Sequence, residues 1–481
     1  VLSPTLRSQQ LALAAQDRAD GFPDAAAEAE AQAALKGTIP NTATETYNLG
    51  GGLSFIDDGG MIGISASYFN SRYGVPDRPS TDLAIDTVGQ GEEGPVVIGL
   101  DQFKLDLRAQ ADLPGFFNSI TARAAYADFK QTEFAGDQVG TVFTNKGMEG
   151  RLELAQADHG GWQGASGLQY VYRNFDAIGD EAFVPANVTE QFGAFTLQEF
   201  KTGPWDFEAS GRYDRQVVKA RPINADRSFN AFSFALGSSY SLTEDLKIGA
   251  TFSRSERAPS AEELFSDGPH EGTQAYEIGN PDFTTEKSLG GEAYIRYSSG
   301  PTEFALTGYL NDFSDFIIDI PTTGEEDGLP VFQYIQTDAR YYGFEAQAST
   351  RLTRIGNFAL LADGVADYVH AQLDGIGPVP RIPPLRILAG LEAQSDNLNV
   401  RGEVEWFDKQ DRVANAEIPT DSFTLVNASV AWKPFGKQGG LTLLASADNI
   451  FDVVGRTAAS FTKDFAPIAG RDFRISAKFS F

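Results

Sequence analysis

The sequence predicts an all-β protein, a transmembrane up-and-down antiparallel β-barrel with about 20 strands present. Three observations carry this. The last segment alternates strictly, with apolar Phe473, Ile475, Ala477, Phe479 and Phe481 between polar Asp472, Arg474, Ser476, Lys478 and Ser480. A period of two places one face in an apolar medium and the other in water, and a final aromatic is how outer-membrane barrels finish at their periplasmic rim. Alternating segments elsewhere are joined by connections that are short at one end and long at the other. Finally, Trp162, Trp205 and Trp432 sit beside short connections and Trp406 beside a long one, as aromatic girdles require.

In chain order, the short connections carry turn chemistry: 57–60, 112–115, 158–161, 202–204, 243–245, 299–301, 354–356, 395–397 and 434–436. The long ones fall at about 17–46, 71–96, 130–140, 174–190, 217–229, 256–283, 315–331, 370–384, 409–421 and 451–467. Residues before 17 read as one upward strand. Residues 24–35 are strong helix formers without a clear apolar stripe, which predicts a short solvated loop helix or a flexible segment. Gly50-Gly51-Gly52 inside a strand marks a thinned wall that a neighbouring backbone approaches. No helix follows it, so it is not a phosphate cradle.

Composition fits the class. The chain has 481 residues, with Gly 49, Phe 36, Tyr 16, Met 2 and Cys 0. Absent cysteine removes disulfides, thiolate metal sites and cysteine nucleophiles. No apolar run approaches the roughly 18–20 residues of a helical span. Mean hydropathy is −0.25, low for a membrane protein, but only alternate residues of a barrel strand face lipid. No signal peptide is visible at Val1-Leu2-Ser3-Pro4, and one is expected to have been removed or to lie outside this sequence. Lys+Arg 38 against Asp+Glu 66 gives a net charge of −28, which excludes nucleic acid as a partner and favours cations or cation-bearing solutes. No nucleophile elbow accompanies the Ser, His and Asp residues, so an enzyme is not expected and no cofactor is implied.

Several motifs resemble the TonB-dependent outer-membrane receptors. They are Arg254-Ser255-Glu256-Arg257-Ala258-Pro259-Ser260-Ala261-Glu262-Glu263-Leu264-Phe265, Ala339-Arg340-Tyr341-Tyr342-Gly343-Phe344-Glu345, and Asp448-Asn449-Ile450-Phe451-Asp452 with Pro467 and Gly470-Arg471. The resemblance implies a 22-stranded barrel occluded by an N-terminal plug. Residues 1–481 then form the barrel domain, with the plug and the first two strands outside it. An open sheet edge is untenable in lipid, so the missing strands are expected from another polypeptide, from residues outside this sequence, or through a 20-strand closure.

A subgroup resemblance, to zinc-uptake receptors, rests on Tyr73-Gly74-Val75-Pro76, Gly140–Asn145 with Glu149–Leu154, Gly179–Pro185, Gly268–Thr273 and Tyr276–Pro281. It implies metal capture, although such receptors carry histidine-rich loops and this chain has three histidines. His159 reads as a solvated turn residue and His370 as a rim residue. His270 lies in a long loop among Glu262, Glu263, Asp267, Glu271, Glu277 and Asp282, and an imidazole with carboxylates is a reasonable zinc donor set. Glu181, beside Asp180, matches a metal-supporting position by motif. His270, Glu181, Asp180 and Glu271 are therefore the candidate ligands, zinc or another metal being substrate. Glu325-Glu326-Asp327 reads as a solvated acidic tip.

The implied mechanism is nutrient capture on extracellular loops and plug, followed by import driven by TonB and its inner-membrane motor. Partners on this reading are TonB, the plug, and outer-membrane lipid and lipopolysaccharide of a Gram-negative cell, with the receptor a monomer. Two alternatives stand beside metal-ion uptake: uptake of a metal chelate such as a siderophore, haem or cobalamin, and a passive porin-like channel.

Overall fold

The computed structural model describes every residue except 77, 81–94, 271, 272, 274, 437, 438 and 481. Two helices come first, α1 (Pro4–Asp20) and α2 (Pro23–Ala33). Then follow β1 (Thr44–Asp57), β2 (Gly60–Gly74), β3 (Val96–Asp112), β4 (Phe117–Ala135), β5 (Gln138–Gln156), β6 (Trp162–Ile178) and β7 (Asn187–Thr202). The chain continues with β8 (Trp205–Ala220), β9 (Ala225–Ser241), β10 (Leu246–Arg257), α3 (Ala261–Phe265), β11 (Asp267–His270), β12 (Ala275–Ile278), β13 (Glu286–Ser299), β14 (Thr302–Glu326) and β15 (Leu329–Ile355). It ends with β16 (Phe358–Leu373), β17 (Gly377–Pro378), β18 (Arg386–Gln394), β19 (Leu398–Phe407), β20 (Phe423–Trp432), β21 (Leu441–Asp448) and β22 (Asp472–Phe479).

All 22 strands form one sheet. Three of them, β11, β12 and β17, are short pieces of loops, which leaves 19 wall strands among the described residues, in an antiparallel meander. Each is amphipathic across its two faces. In β8, Trp205 and Phe207 are exposed on the outer face, while Arg212 and Asp214 pair at 2.6 Å on the inner one. In β22, Phe473, Ile475 and Phe479 point outward and Arg474 pairs with Asp472. An apolar belt facing lipid and a charged lumen follow directly from the period of two.

All nine short connections fall where turn chemistry puts them, with Gly60, Gly115, Gly160, Gly161, Gly203, Gly300, Gly356 and Gly436 at positive φ. Three long connections are instead hairpins that continue the wall. Gly136-Asp137 joins β4 to β5, Arg221–Ile223 make a single helical turn before β9, and Asp327 (φ 53) with Gly328 (φ 76) closes β14 and β15. The last is the Asp-Gly turn matched to strand twist, and it lets β14 and β15 project well past the rim.

The N-terminal segment departs from expectation. Residues before 17 are helical, not a strand. Ser3 caps α1 by accepting from the Leu6 amide at 3.1 Å, Pro4 is pre-set for the first helical turn, and Gly21 ends the helix at φ 93. The segment 24–35 is indeed largely helix, packed on α1 through Ala14, Ala26 and Ala29. Helix α1 lies at the long-loop end, where Leu2 and Leu6 pack on Phe465 and the Gln10 amide donates to Ser80 O at 2.6 Å.

Strand β1 therefore runs toward the short turns, as β22 does. No ladder joins the two among the described residues, so the 20-strand closure does not occur. Two edges running the same way can be joined in antiparallel fashion only through an odd number of further strands. The sheet nonetheless curls round. Arg78, after β2, and Asp464, before β22, form an ion pair at 2.8 Å across the mouth.

Candidate functional site

The mouth is organised by residues 258–285. The Ser260 hydroxyl accepts from the Glu263 amide at 3.2 Å and the Glu263 carboxylate from the Ser260 amide at 2.7 Å. This capping box starts α3. The helix buries Ala261, Leu264 and Phe265 against Val218, Ala220, Phe229, Phe283 and Ile317. Arg257 forks between Glu263 (2.9 Å) and Glu286 (2.9 Å), tying helix to wall. Burial alone would lower the Arg257 pKa, and the two carboxylates reverse that and raise it. Arg173 of β6 holds Glu262 at 2.8 Å. Burial pushes the Glu262 acid up, but Arg173 outweighs it and keeps the carboxyl below its ordinary value.

Beyond α3 the chain makes the β11–β12 hairpin, and β12 zips parallel onto β15 with Tyr276, Glu277 and Ile278 opposite Val331, Phe332 and Gln333. His270 Nδ1 lies 2.8 Å from Glu277 Oε1, and its ring stacks on Phe183 with centroids 4.4 Å apart. The Thr273 hydroxyl reaches the same carboxylate oxygen at 2.9 Å, and the Tyr334 hydroxyl is 3.5 Å from the other. Glu277 is buried. Desolvation alone would raise its pKa, yet the contacts from His270, Thr273 and Tyr334 hold it below the usual carboxylate value. Asp319, opposite Tyr334 in the ladder, moves the other way: burial raises its pKa and Arg381 only partly offsets this. Burial and the neighbouring Glu277 and Asp319 raise the Tyr334 phenol above its ordinary value.

The two loops that carry the sequence candidates do meet, since the Asp267 amide donates to Phe183 O at 2.8 Å. Gly268 is needed there, because a Cβ would stand 3.0 Å from that of Phe183. Within this contact His270 is partnered by Glu277. Glu181 is buried, with its amide on the Thr141 hydroxyl at 3.0 Å. Asp180 is exposed and Glu271 falls outside the described residues. Among the described residues no group of three His, Cys, Asp or Glu is placed to hold a metal, so His270 and Glu277 offer a two-donor start. Glu277 was read from sequence only as one of several acidic neighbours of His270, and Phe183 and Tyr334 were not read as parts of the site. The alternation of β12, with Glu277 between Tyr276 and Ile278, was the available signal.

The other histidines behave as read. His159 sits in its turn, stacked on Phe116 of the neighbouring turn at 4.9 Å. His370 stacks on Tyr342 at the rim and meets Arg412 at 3.2 Å. The 448–452 motif is a structural clasp. Asn449, at φ 47, donates to Val453 O and Ala469 O and accepts from the Val453 amide.

A lipid-facing apolar wall, a charged lumen and a folded loop crown define a large membrane-spanning β-barrel of the outer-membrane type. The chain belongs to the TonB dependent receptor-like β-barrel family, whose model matches residues 40–450. Among solved structures it is similar to the copper transporter OprC (18% identity, TM-score 0.78, covering 91% of this chain and 74% of that one). It also resembles the FrpB iron transporter of Neisseria meningitidis (16%, 0.73, 92% and 73%) and the ferric-catecholate receptor Fiu of E. coli K12 (13%, 0.70, 92% and 75%). Barrels of this family are Gram-negative outer-membrane proteins, and membership implies a plug domain and engagement by TonB.

Proposed function

We propose that the protein captures a metal ion, zinc in the first instance, at its extracellular mouth in a Gram-negative outer membrane and imports it without chemical change. TonB and the inner-membrane motor drive the step through the plug. The observation that carries this reading is the His270–Glu277 pair, stacked on the loop that also bears Glu181. Imidazole and carboxylate are borderline-to-hard donors suited to zinc. A copper(I) cargo would call for thioether or thiolate ligands, and the chain has Met 2 and Cys 0. A metal ion would take the place of the direct His270–Glu277 contact, with Glu181, Asp180 or Glu271 completing the set. The acidic crown raises the local cation concentration ahead of binding.

A second reading, uptake of an anionic metal chelate, is favoured by Arg381. Its guanidinium stacks 3.9 Å over the exposed Phe461 ring at the mouth and offers a cationic, flat platform. The test is calorimetric titration of the complete purified receptor with Zn²⁺, Cu²⁺ and a ferric catecholate. Tight Zn²⁺ binding, weakened at least tenfold in His270→Ala/Glu277→Gln, is the expected result. No metal-ion binding, with catecholate binding lost in Arg381→Ala, would replace metal-ion capture with the chelate reading.

A further inference from the structure

The outer surface of the wall carries a cavity of about 580 Å³ near its periplasmic end. Strands β7 to β10 each line it with two outward residues and the inward one between them, such as Phe207 and Ala209 around Glu208 on β8. Phe207 and Leu236 of that lining belong to the exposed apolar belt. The cavity therefore opens toward the bilayer and not toward the lumen. Trp162, Phe200 and Phe252 form its aromatic sides, and Ala209 and Ala250 its floor. An apolar hollow in a membrane accepts any passing acyl chain. This one also presents hydrogen-bond donors, which hydrocarbon cannot satisfy.

The first donor is Gln198, an amide on the lipid side of β7 opposite Gly164 and Ala209. It accepts from Trp162 Nε1 at 2.8 Å and donates to the Thr196 hydroxyl at 3.0 Å. Its second N–H has no partner among the described residues. A Cβ at Gly164 would stand 2.6 Å from the Gln198 amide nitrogen, so the wall is shaped to hold that group. Two strands away, roughly 10 Å by strand spacing, the Ser238 hydroxyl lines the other side. It too has no partner among the described residues. Unpaired donors are costly in lipid, and depth says what answers them. Gln198 lies two residues up β7 from Phe200, the partner of Trp162, hence roughly 5 Å inside the aromatic girdle. Girdle tryptophans sit at headgroup level, which puts both donors beside the ester groups of the leaflet. Trp162 and Trp205 open their strands after short turns, so this is the periplasmic leaflet, built of phospholipid and not of lipopolysaccharide. We propose that the cavity binds one diacyl phospholipid of that leaflet, an acyl chain filling the hollow while the ester carbonyls accept from Gln198 and Ser238. The site lies outside the transport path and does not depend on the cargo.

The experiment is native mass spectrometry of the complete receptor in detergent, with phosphatidylethanolamine added in its ester-linked or its ether-linked form. The ether form keeps headgroup and chains but lacks the carbonyls. One ester-linked lipid should be retained per receptor, about tenfold more tightly than the ether form, as two ordinary hydrogen bonds predict. Gln198→Leu/Ser238→Ala should abolish that preference, and Ala209→Phe, which fills the hollow, should release both forms. All three changes are apolar on a lipid-facing surface, and heat-modifiable mobility on gels confirms an intact barrel. Equal retention of the two forms by the unaltered receptor would overturn the site, as would a preference that survives in the double variant. Absence of any lipid adduct would overturn it too, and so would a dimer in its place, which would give this face to a second copy.

Discussion

The wall and the crown of this barrel are stabilised in opposite ways. Wall strands expose their side chains on both faces, and their ion pairs, such as Lys247–Asp206 with about a third of each side chain accessible, are individually weak. The crown at 258–285 buries a short helix and the Glu277 carboxylate, with His270 half-buried against it. Cohesion in the wall is spread over backbone ladders, so no one side chain decides it, while in the crown a few residues hold a whole loop.

That contrast is broken most directly at Leu264, which is fully buried in the crown. Leu264→Ala should cost about 2–5 kcal/mol of loop docking, read as protease cleavage within 258–285 while the barrel keeps its heat-modifiable mobility on gels. A comparable loss with cleavage in the wall instead would show that the two regions melt together. On the outer face, Leu168→Lys should cost about 2–4 kcal/mol near mid-membrane, measured by urea unfolding in lipid, with crown protection unchanged. Arg257→Gln should loosen the crown by about 1–2 kcal/mol, a buried-pair cost discounted because the arginine is nearly half exposed. Amide exchange at residues 258–285 checks this.

Acidification sharpens the same comparison. Glu277 and Glu262 have folded pKa values below the ordinary 4.5, so their contribution is complete above that value and is lost as pH falls through the lower folded values. Asp319, raised in the fold, opposes them. Crown protection measured between pH 6 and 3 should therefore drop before wall circular dichroism changes. The smallest effect belongs to the wall: Arg212→Ala should change stability by less than about 1 kcal/mol, and a larger loss would show that lumenal pairs act as a network.

Wall and crown also differ in how far sequence reveals them. Alternation at 473–479, glycine turns and girdle tryptophans are local signals, and they located the strands, the nine short turns and the direction of β22. The crown is held by contacts distant in sequence. His270 was visible as a candidate, but Glu277 as its partner depends on hairpin geometry, and Phe183 beneath it comes from another loop. Ser3-Pro4 ahead of a helix was a readable start signal, masked by the expectation that barrel chains are strands. Gln198 and Ser238 come to share one lipid-facing hollow only once the register is fixed.

The contacts of α1 bear on the order of assembly. Most wall ladders join strands that are neighbours in sequence, so each can zip from its own turn at small loop-closure cost. Ser3 meets Asp464 through the amide-to-carbonyl bond at 2.6 Å, and Arg456 reaches the Val1 carbonyl at 2.5 Å. These bonds span nearly the whole chain, and closure entropy grows with the length enclosed. They can be made cheaply only after the intervening strands have already brought the ends together. The mouth clasp is thus a late event, a latch that closes on a finished meander and does not help to build it.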